Sequence, residues 1–206
     1  MTKSLVILLA GAVAMPVVAR AQLALDVEPV VGRYSPRGSY DHDANYFRVG
    51  TPESPRENAG TAYGANARLW LTRTFALQLQ GMTSSTDHPT VYVPSGASIA
   101  TSTRVRALTA QAVFRPALPT RAQLWVSAGG GVVKHSGTAY APYGSPTHRT
   151  LALGAGGALP IWRGLSATAG VDDLFYDWKI ANGLGVYQTG SESDLVARIG
   201  LSLTMR

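Results

Sequence analysis

The 206-residue chain contains no cysteine, only 12 acidic residues and very few lysines, with Lys134 and Lys179 the only ones after Lys3. The missing cysteine excludes disulfide staples, thiolate metal sites, cysteine nucleophiles and the lipidated cysteine of a bacterial lipoprotein. No stretch of ten or more residues carries a helical apolar period, and no internal repeat is visible, so neither a helix bundle nor a solenoid is expected. The net charge of +6 is mild. With no basic helix and no aromatic-basic cluster beside it, nucleic acid is not an expected partner.

What is present begins with an export address. Lys3 precedes the apolar run Leu5 to Ala14, and Ala19-Arg20-Ala21 forms a small-x-small cleavage site before Gln22. This is the layout of a secretory leader, and the run is too short for a spanning helix, which needs about 20 apolar residues. Residues 1–21 are expected to be a signal peptide and 22–206 a single mature domain.

Through that domain the recurring feature is two-residue alternation, the mark of strands with one apolar face. At the C-terminus Leu195, Ala197, Ile199, Leu201, Leu203 and Met205 take every second place. Tyr63 to Leu71, Phe75 to Leu79, Leu108 to Phe114, Leu124 to Val132, Leu151 to Leu159 and Leu165 to Val171 repeat the pattern, as does Leu23 to Arg33 at the front. That makes eight strands. Three connections are short: Thr72-Arg73-Thr74, Pro116 to Thr120, and Ile161 to Gly164. The other four are read as long polar loops, from about Ser35 to Gly60, Thr83 to Ser102, Ser136 to His148, and Lys179 to Ser193. Short turns at one end and long loops at the other predict an all-β, eight-stranded, antiparallel up-and-down transmembrane barrel with periplasmic turns and extracellular loops.

Alternation alone does not say which face sees water, because a soluble lipocalin-like barrel alternates too, with its apolar face inward. The intervening phase decides. It is Gly, Ala, Ser, Thr and Gln with a few charges, Asp26, Glu28, Arg68, Asp172 and Arg198. Such a set fills the narrow interior of eight strands but makes an unusually uncharged outer surface. The leucine rows are therefore expected to face lipid. Trp70, Phe75, Phe114 and Trp162 near the short turns are expected to form an interfacial girdle, and the nine tyrosines fall in strands or at the loop end.

From Leu23 to Met205 the pattern resembles the small eight-stranded outer-membrane barrels of the outer-membrane protein A and opacity-protein kind. The resemblance rests on the leader, the eight alternating strands and the turn and loop asymmetry. It implies an outer-membrane location in a Gram-negative-type bacterium, lipid and lipopolysaccharide as surroundings, and the outer-membrane insertion machinery as a partner. One departure is plain: the final strand of that family usually ends in an aromatic residue, whereas this chain ends Leu203-Thr204-Met205-Arg206.

Heights counted from the turn end place Asp26 near Arg68, and both Glu28 and Asp172 near Arg198, which predicts a structural charge network in the lumen. A lumen filled this way is not an open pore. Arg104 and Arg106 sit in the apolar phase at the outer end of the fourth strand and are expected to meet lipopolysaccharide phosphates. The first long loop, with Arg37, Tyr40, Tyr46, Phe47, Arg48 and Arg56, offers the largest recognition surface for adhesion or ligand binding.

Catalytic and metal-binding arrangements are mostly absent. Asp41-His42-Asp43 has no second cluster at ligand spacing. Asp172-Asp173 and His135-Ser136 are adjacent in strands and so point to opposite faces. Gly129-Gly130-Gly131 and Gly154-Ala155-Gly156-Gly157 lack the helix and lysine of a phosphate loop and are read as relief of crowding. No cofactor, metal or catalytic residue is expected. The expected function is a monomeric, non-enzymatic envelope component. The alternatives are an outer-membrane enzyme acting on lipid or peptide at the loop rim, and a soluble periplasmic binding barrel.

Overall fold

The computed structural model describes residues 23–37, 59–92, 98–137, 145–181 and 187–205. Residues 1–22, which include the expected signal peptide, and most of the first long connection lie outside them. The described residues form eight strands: β1 (Ala24–Pro36), β2 (Gly60–Trp70), β3 (Phe75–Tyr92), β4 (Ser98–Phe114), β5 (Gln123–Ser136), β6 (Thr147–Trp162), β7 (Leu165–Ala181) and β8 (Tyr187–Met205). Each pairs antiparallel with the next, and β8 returns to β1, so the sheet is a closed barrel.

The β1–β8 seam keeps one register along its length, from Leu25↔Met205 to Pro36↔Asp194. Its rungs are interrupted only at Glu28 and Pro29. Proline has no N–H to contribute to a ladder, which accounts for the gap. A register shift on the β6–β7 side falls between Pro160 and Trp162, at another proline and for the same reason.

The strands are longer than the alternation indicates. Thr83 to Ser102 and Lys179 to Ser193, expected to be loops, belong mostly to paired strands. β3 and β4 stay in register up to His88↔Thr101, and β7 and β8 up to Ala181↔Tyr187. The connections there shrink to residues 93–97 and 182–186. Spanning a hydrocarbon core takes about 9–11 tilted residues, and these strands run to 18 and 19. A strand that runs past the length a hydrocarbon core requires is under no selection for one apolar face, so alternation can fade while the hydrogen-bond ladder continues.

Orientation is unambiguous. Leu77, Leu79, Leu108, Leu124, Leu151, Ile199, Leu201 and Leu203 all project outward and are half exposed or more. The intervening residues point into the lumen. At the turn end Phe75, Phe114 and Trp162 lie on the outer face, 49%, 41% and 76% exposed. Trp70 does not join them. It is 5% exposed and points inward, because it shares the parity of Arg68 and Asn66 on β2.

The lumen is stratified, a feature not expected from a reading of small and charged residues alone. At the turn end Trp70, Ala76, Val113 and Trp125 make a compact apolar layer. At the loop end Tyr34, Met82, Val105, Val133, Leu174 and Val196 belong to a second one. Glu28, Arg68, Asp172 and Arg198 lie between. Room for bulky inward groups comes from glycine: a Cβ on Gly156 would stand 2.5 Å from Cζ2 of Trp125 and 2.6 Å from the carbonyl oxygen of Ala169. Gly156→Val should therefore unseat Trp125 and cost about 1–3 kcal/mol by overpacking. The measurement is the temperature at which the compact gel band of the folded barrel converts to the unfolded mobility. An unshifted midpoint would show that the indole does not depend on this gap.

Candidate functional site

The middle of the lumen brings together side chains from β1, β2, β3, β4, β7 and β8. Arg198 on β8 donates from Nε to Oδ2 of Asp172 on β7 at 2.5 Å, and from Nη1 to Oε1 of Glu28 on β1 at 3.2 Å. Arg68 on β2 donates from Nη2 to Oε2 of Glu28 at 3.0 Å and from Nε to Oε1 of Gln78 at 2.9 Å. Glu28 thus bridges both guanidiniums, and Thr168 Oγ1 donates to it at 2.6 Å. Gln80 donates to Asp172 at 2.9 Å and in turn accepts from Gln111. All these groups are buried.

Parity places them there. Glu28, Arg68, Gln78, Asp172 and Arg198 all fall on the inward phase of their strands, and the antiparallel register sets their heights. A buried ion left alone costs several kcal/mol. Here the two guanidiniums are matched by two carboxylates, and glutamine and threonine fill the remaining bonds. Asp26 stands apart from this set. It is the cross-strand partner of Arg68 in the β1–β2 register, yet its Oδ2 accepts from the indole N–H of Trp70 at 2.6 Å. Arg68 turns the other way, toward Glu28, with its guanidinium carbon 4.7 Å from the ring centroid of Trp125. Below them Arg115, just past the end of β4, stacks 3.8 Å over Trp70. Burial lowers the pKa of Arg115, against the raising effect of the Asp26 carboxylate.

A second cluster lies at the loop end, where the sequence reading saw only His135 beside Ser136. The hydroxyl of Tyr176 on β7 is 2.8 Å from Oδ2 of Asp194, 3.1 Å from Oε2 of Glu192 and 3.3 Å from Nε2 of His135. His148 on β6 stacks on Tyr176 with ring centroids 5.6 Å apart. One hydroxyl proton serves one carboxylate at a time, so this group of phenol, imidazoles and carboxylates can hold and pass protons. All five residues are buried. Their parity was available in the sequence: Glu192 and Asp194 share the phase of Val196 and Arg198. Treating Lys179 to Ser193 as a loop removed Glu192 from any strand and hid the match.

The remaining candidate residues scatter. Ser136 turns away from His135 and donates to the backbone oxygen of Arg104 at 3.2 Å. Asp173 is directed out of the lumen, accepting from Ser193 at 2.5 Å and lying 3.8 Å from Nη1 of Arg37. Arg104 and Arg106 are exposed on the outer face of β4. Of the first-loop surface only Arg37 is described. Tyr40, Tyr46, Phe47, Arg48, Arg56 and the Asp41-His42-Asp43 run lie outside the described residues. Among the described residues no group of three or more His, Cys, Asp or Glu side chains is placed to hold a metal ion.

Two substitutions separate these clusters. Arg198→Leu leaves Glu28 and Asp172 short of a counter-charge and should cost about 3–5 kcal/mol. Tyr176→Phe removes one donor to the Glu192 and Asp194 carboxyl groups and should cost less, about 1.5–3 kcal/mol. Urea unfolding in detergent micelles, followed by tryptophan fluorescence, measures both. Equal losses would mean that the lumenal ions are not held as a set.

No protein-family model matches the chain, and no curated protein matches it in sequence. Solved structures do match. The outer membrane protein OprG of Pseudomonas aeruginosa superposes with a TM-score of 0.62 at 9% identity, covering 91% of this chain and 98% of OprG. The outer membrane protein AlkL, determined in lipid bilayers, gives a TM-score of 0.58 at 10% identity and covers 91% of each chain. The Neisserial surface protein A gives 0.52 at 10% identity, covering 88% of this chain and 96% of that protein. At such identities the likeness is one of fold, and it extends over nearly the whole of both chains. The protein has the closed, eight-stranded, antiparallel fold of the small bacterial outer-membrane β-barrels.

Proposed function

We propose that this is an exported, monomeric, integral outer-membrane barrel without enzymatic activity, an envelope component whose exposed loops make its contacts with the outside. The observation that carries the reading is the pairing of an apolar outer wall with a filled lumen. The outward leucines cover all eight strands, more apolar surface than a soluble monomer exposes. Within hydrocarbon only a ring of strands without edges satisfies every backbone amide. Inside, two apolar clusters and the ion network between them occupy the lumen, and eight strands enclose room only for side chains, which supports a barrel other than a general pore. In this orientation the short turns are periplasmic and the first loop is the main recognition surface. Outer-leaflet lipopolysaccharide surrounds Arg104 and Arg106, and the insertion machinery meets the β8 end at Met205, which projects outward.

A second reading, a hydrolase acting on lipid or peptide at the loop rim, draws on the cluster of His135, Tyr176, Glu192 and Asp194. Its groups share a face, as an acid–base set requires. Their burial favours a structural role, because a catalytic group must touch its substrate.

The purified protein should need detergent to stay folded and should show heat-modifiable mobility. In planar bilayers it should add no stepwise conductance above the lipid background. A water-soluble folded monomer would overturn the membrane reading, and porin-like steps would overturn the closed lumen. Turnover of phospholipid, lipid A or peptide that is abolished by Asp194→Asn would replace the non-enzymatic reading with the second one.

A further inference from the structure

Between Asp87 and Asp172 the chain contains no acidic residue at all. This stretch supplies the whole of β4, β5 and β6, so three adjacent strands of the barrel carry only positive side-chain charge. At the loop end of their outer face Arg104, Arg106, Lys134 and Arg149 are all exposed. Arg106 and Lys134 are direct cross-strand partners, and Arg149 pairs with Val132, two residues along β5 from Lys134 on the same face.

The charge is one-sided. On β7 the outward Asp173 and Asp177 accept from Ser193 and Ser191 of β8. On β1, across the barrel from β5, the outer face at this end carries Arg33 and Arg37, and Arg37 lies against Asp173. The cations of β4–β6 thus form a patch rather than part of a uniform collar.

Directly below the patch the wall is hollowed. Ala110, Gly130 and Leu151 make one row across β4, β5 and β6, and Ala112, Ala128 and Leu153 make the next. The small residues leave a shallow apolar groove of about 560 Å³, lined by Leu79, Leu108, Ala110, Gly130, Val132 and Arg149. Arg149 lines its upper end, so cations and groove are continuous.

We propose that this face is a docking site for one lipopolysaccharide molecule, held by its lipid A moiety. The phosphates would lie against Arg106, Lys134 and Arg149, with Arg104 at the margin, and an acyl chain would fill the groove beneath. This inference rests on the membrane orientation proposed above. It narrows a general contact of Arg104 and Arg106 with lipid to a single site on one side of the barrel. The chemistry is complementary at each level. Guanidinium and ammonium groups bind phosphate through charge-assisted hydrogen bonds, and basic patches at the headgroup level recognise anionic lipids. The groove gives an acyl chain an apolar seat directly below the cations.

The test is native mass spectrometry of the protein extracted from outer membranes in non-ionic detergent and titrated with bis-phosphoryl lipid A. One lipid A should bind saturably. The triple variant R106S/K134S/R149S should bind it roughly tenfold more weakly or worse, and R33S should bind as the unaltered protein does. A110L, which fills the groove and keeps every cation, should also weaken binding, and phosphatidylglycerol should compete poorly. Equal binding by the triple variant, an equal loss in R33S, or equal binding of phosphatidylglycerol would each overturn the proposal. Heat-modifiable mobility, checked on every variant, shows whether the barrel itself is intact. A failure of lipid binding with that mobility preserved counts against this site and leaves the membrane reading standing.

Discussion

The pairing of the first strand with the last is the constraint on which the rest of this structure depends. An open sheet of eight strands would present two unsatisfied edges, and no arrangement of its side chains would let it lie in a medium without hydrogen-bonding partners. Once β1 closes on β8, each residue has only two destinations, the wall or the lumen. Parity alone then assigns Leu203 to one and Arg198 to the other. The seam tolerates its interruption at Glu28 and Pro29 because the ladder resumes in the same register on either side. A slip of one residue would send Glu28 into the wall and expel Val27 from it.

Closure also makes the interior a problem of charge accounting. A ring this narrow cannot hydrate a guanidinium as bulk water does, so each lumenal arginine needs a carboxylate at its own height. Arg198 finds Asp172 on the neighbouring strand and Glu28 across the seam. Arg68 reaches Glu28 from the other side. One carboxylate therefore ties β1 to both β2 and β8, so the network joins the strands on which closure depends. Pairs of this kind give specificity of register more than net stability, since desolvation offsets most of their attraction.

Much of this was legible in the chain. The eight strands, their direction of alternation and the closed antiparallel fold follow from Leu-x-Leu spacing and from turns such as Thr72-Arg73-Thr74. Four things went unread. The outer ends of β3, β4, β7 and β8 run past the length a hydrocarbon core requires, so nothing imposes alternation there and a pattern-based reading stops short of them. Trp70 was assigned by residue type to an interfacial girdle, although its parity with Arg68 had already placed it inside, where Asp26 takes its N–H. Val105, Val133, Leu174 and Val196 also escaped notice. A rule that apolar residues face outward does not anticipate a lumen whose ends are packed like a protein core. The groove and the cationic face combine cross-strand register with a long gap in acidic residues, and only the register shows that the charges are neighbours.

The stratified lumen separates its charged layer from the water at either end. Trp70 and Trp125 close the turn side, and Val105, Val133, Leu174 and Val196 close the loop side. Arg68 and Arg198 are each 3% exposed, so their labile hydrogens should trade with solvent slowly, chiefly through excursions that loosen the packing at one end of the ring.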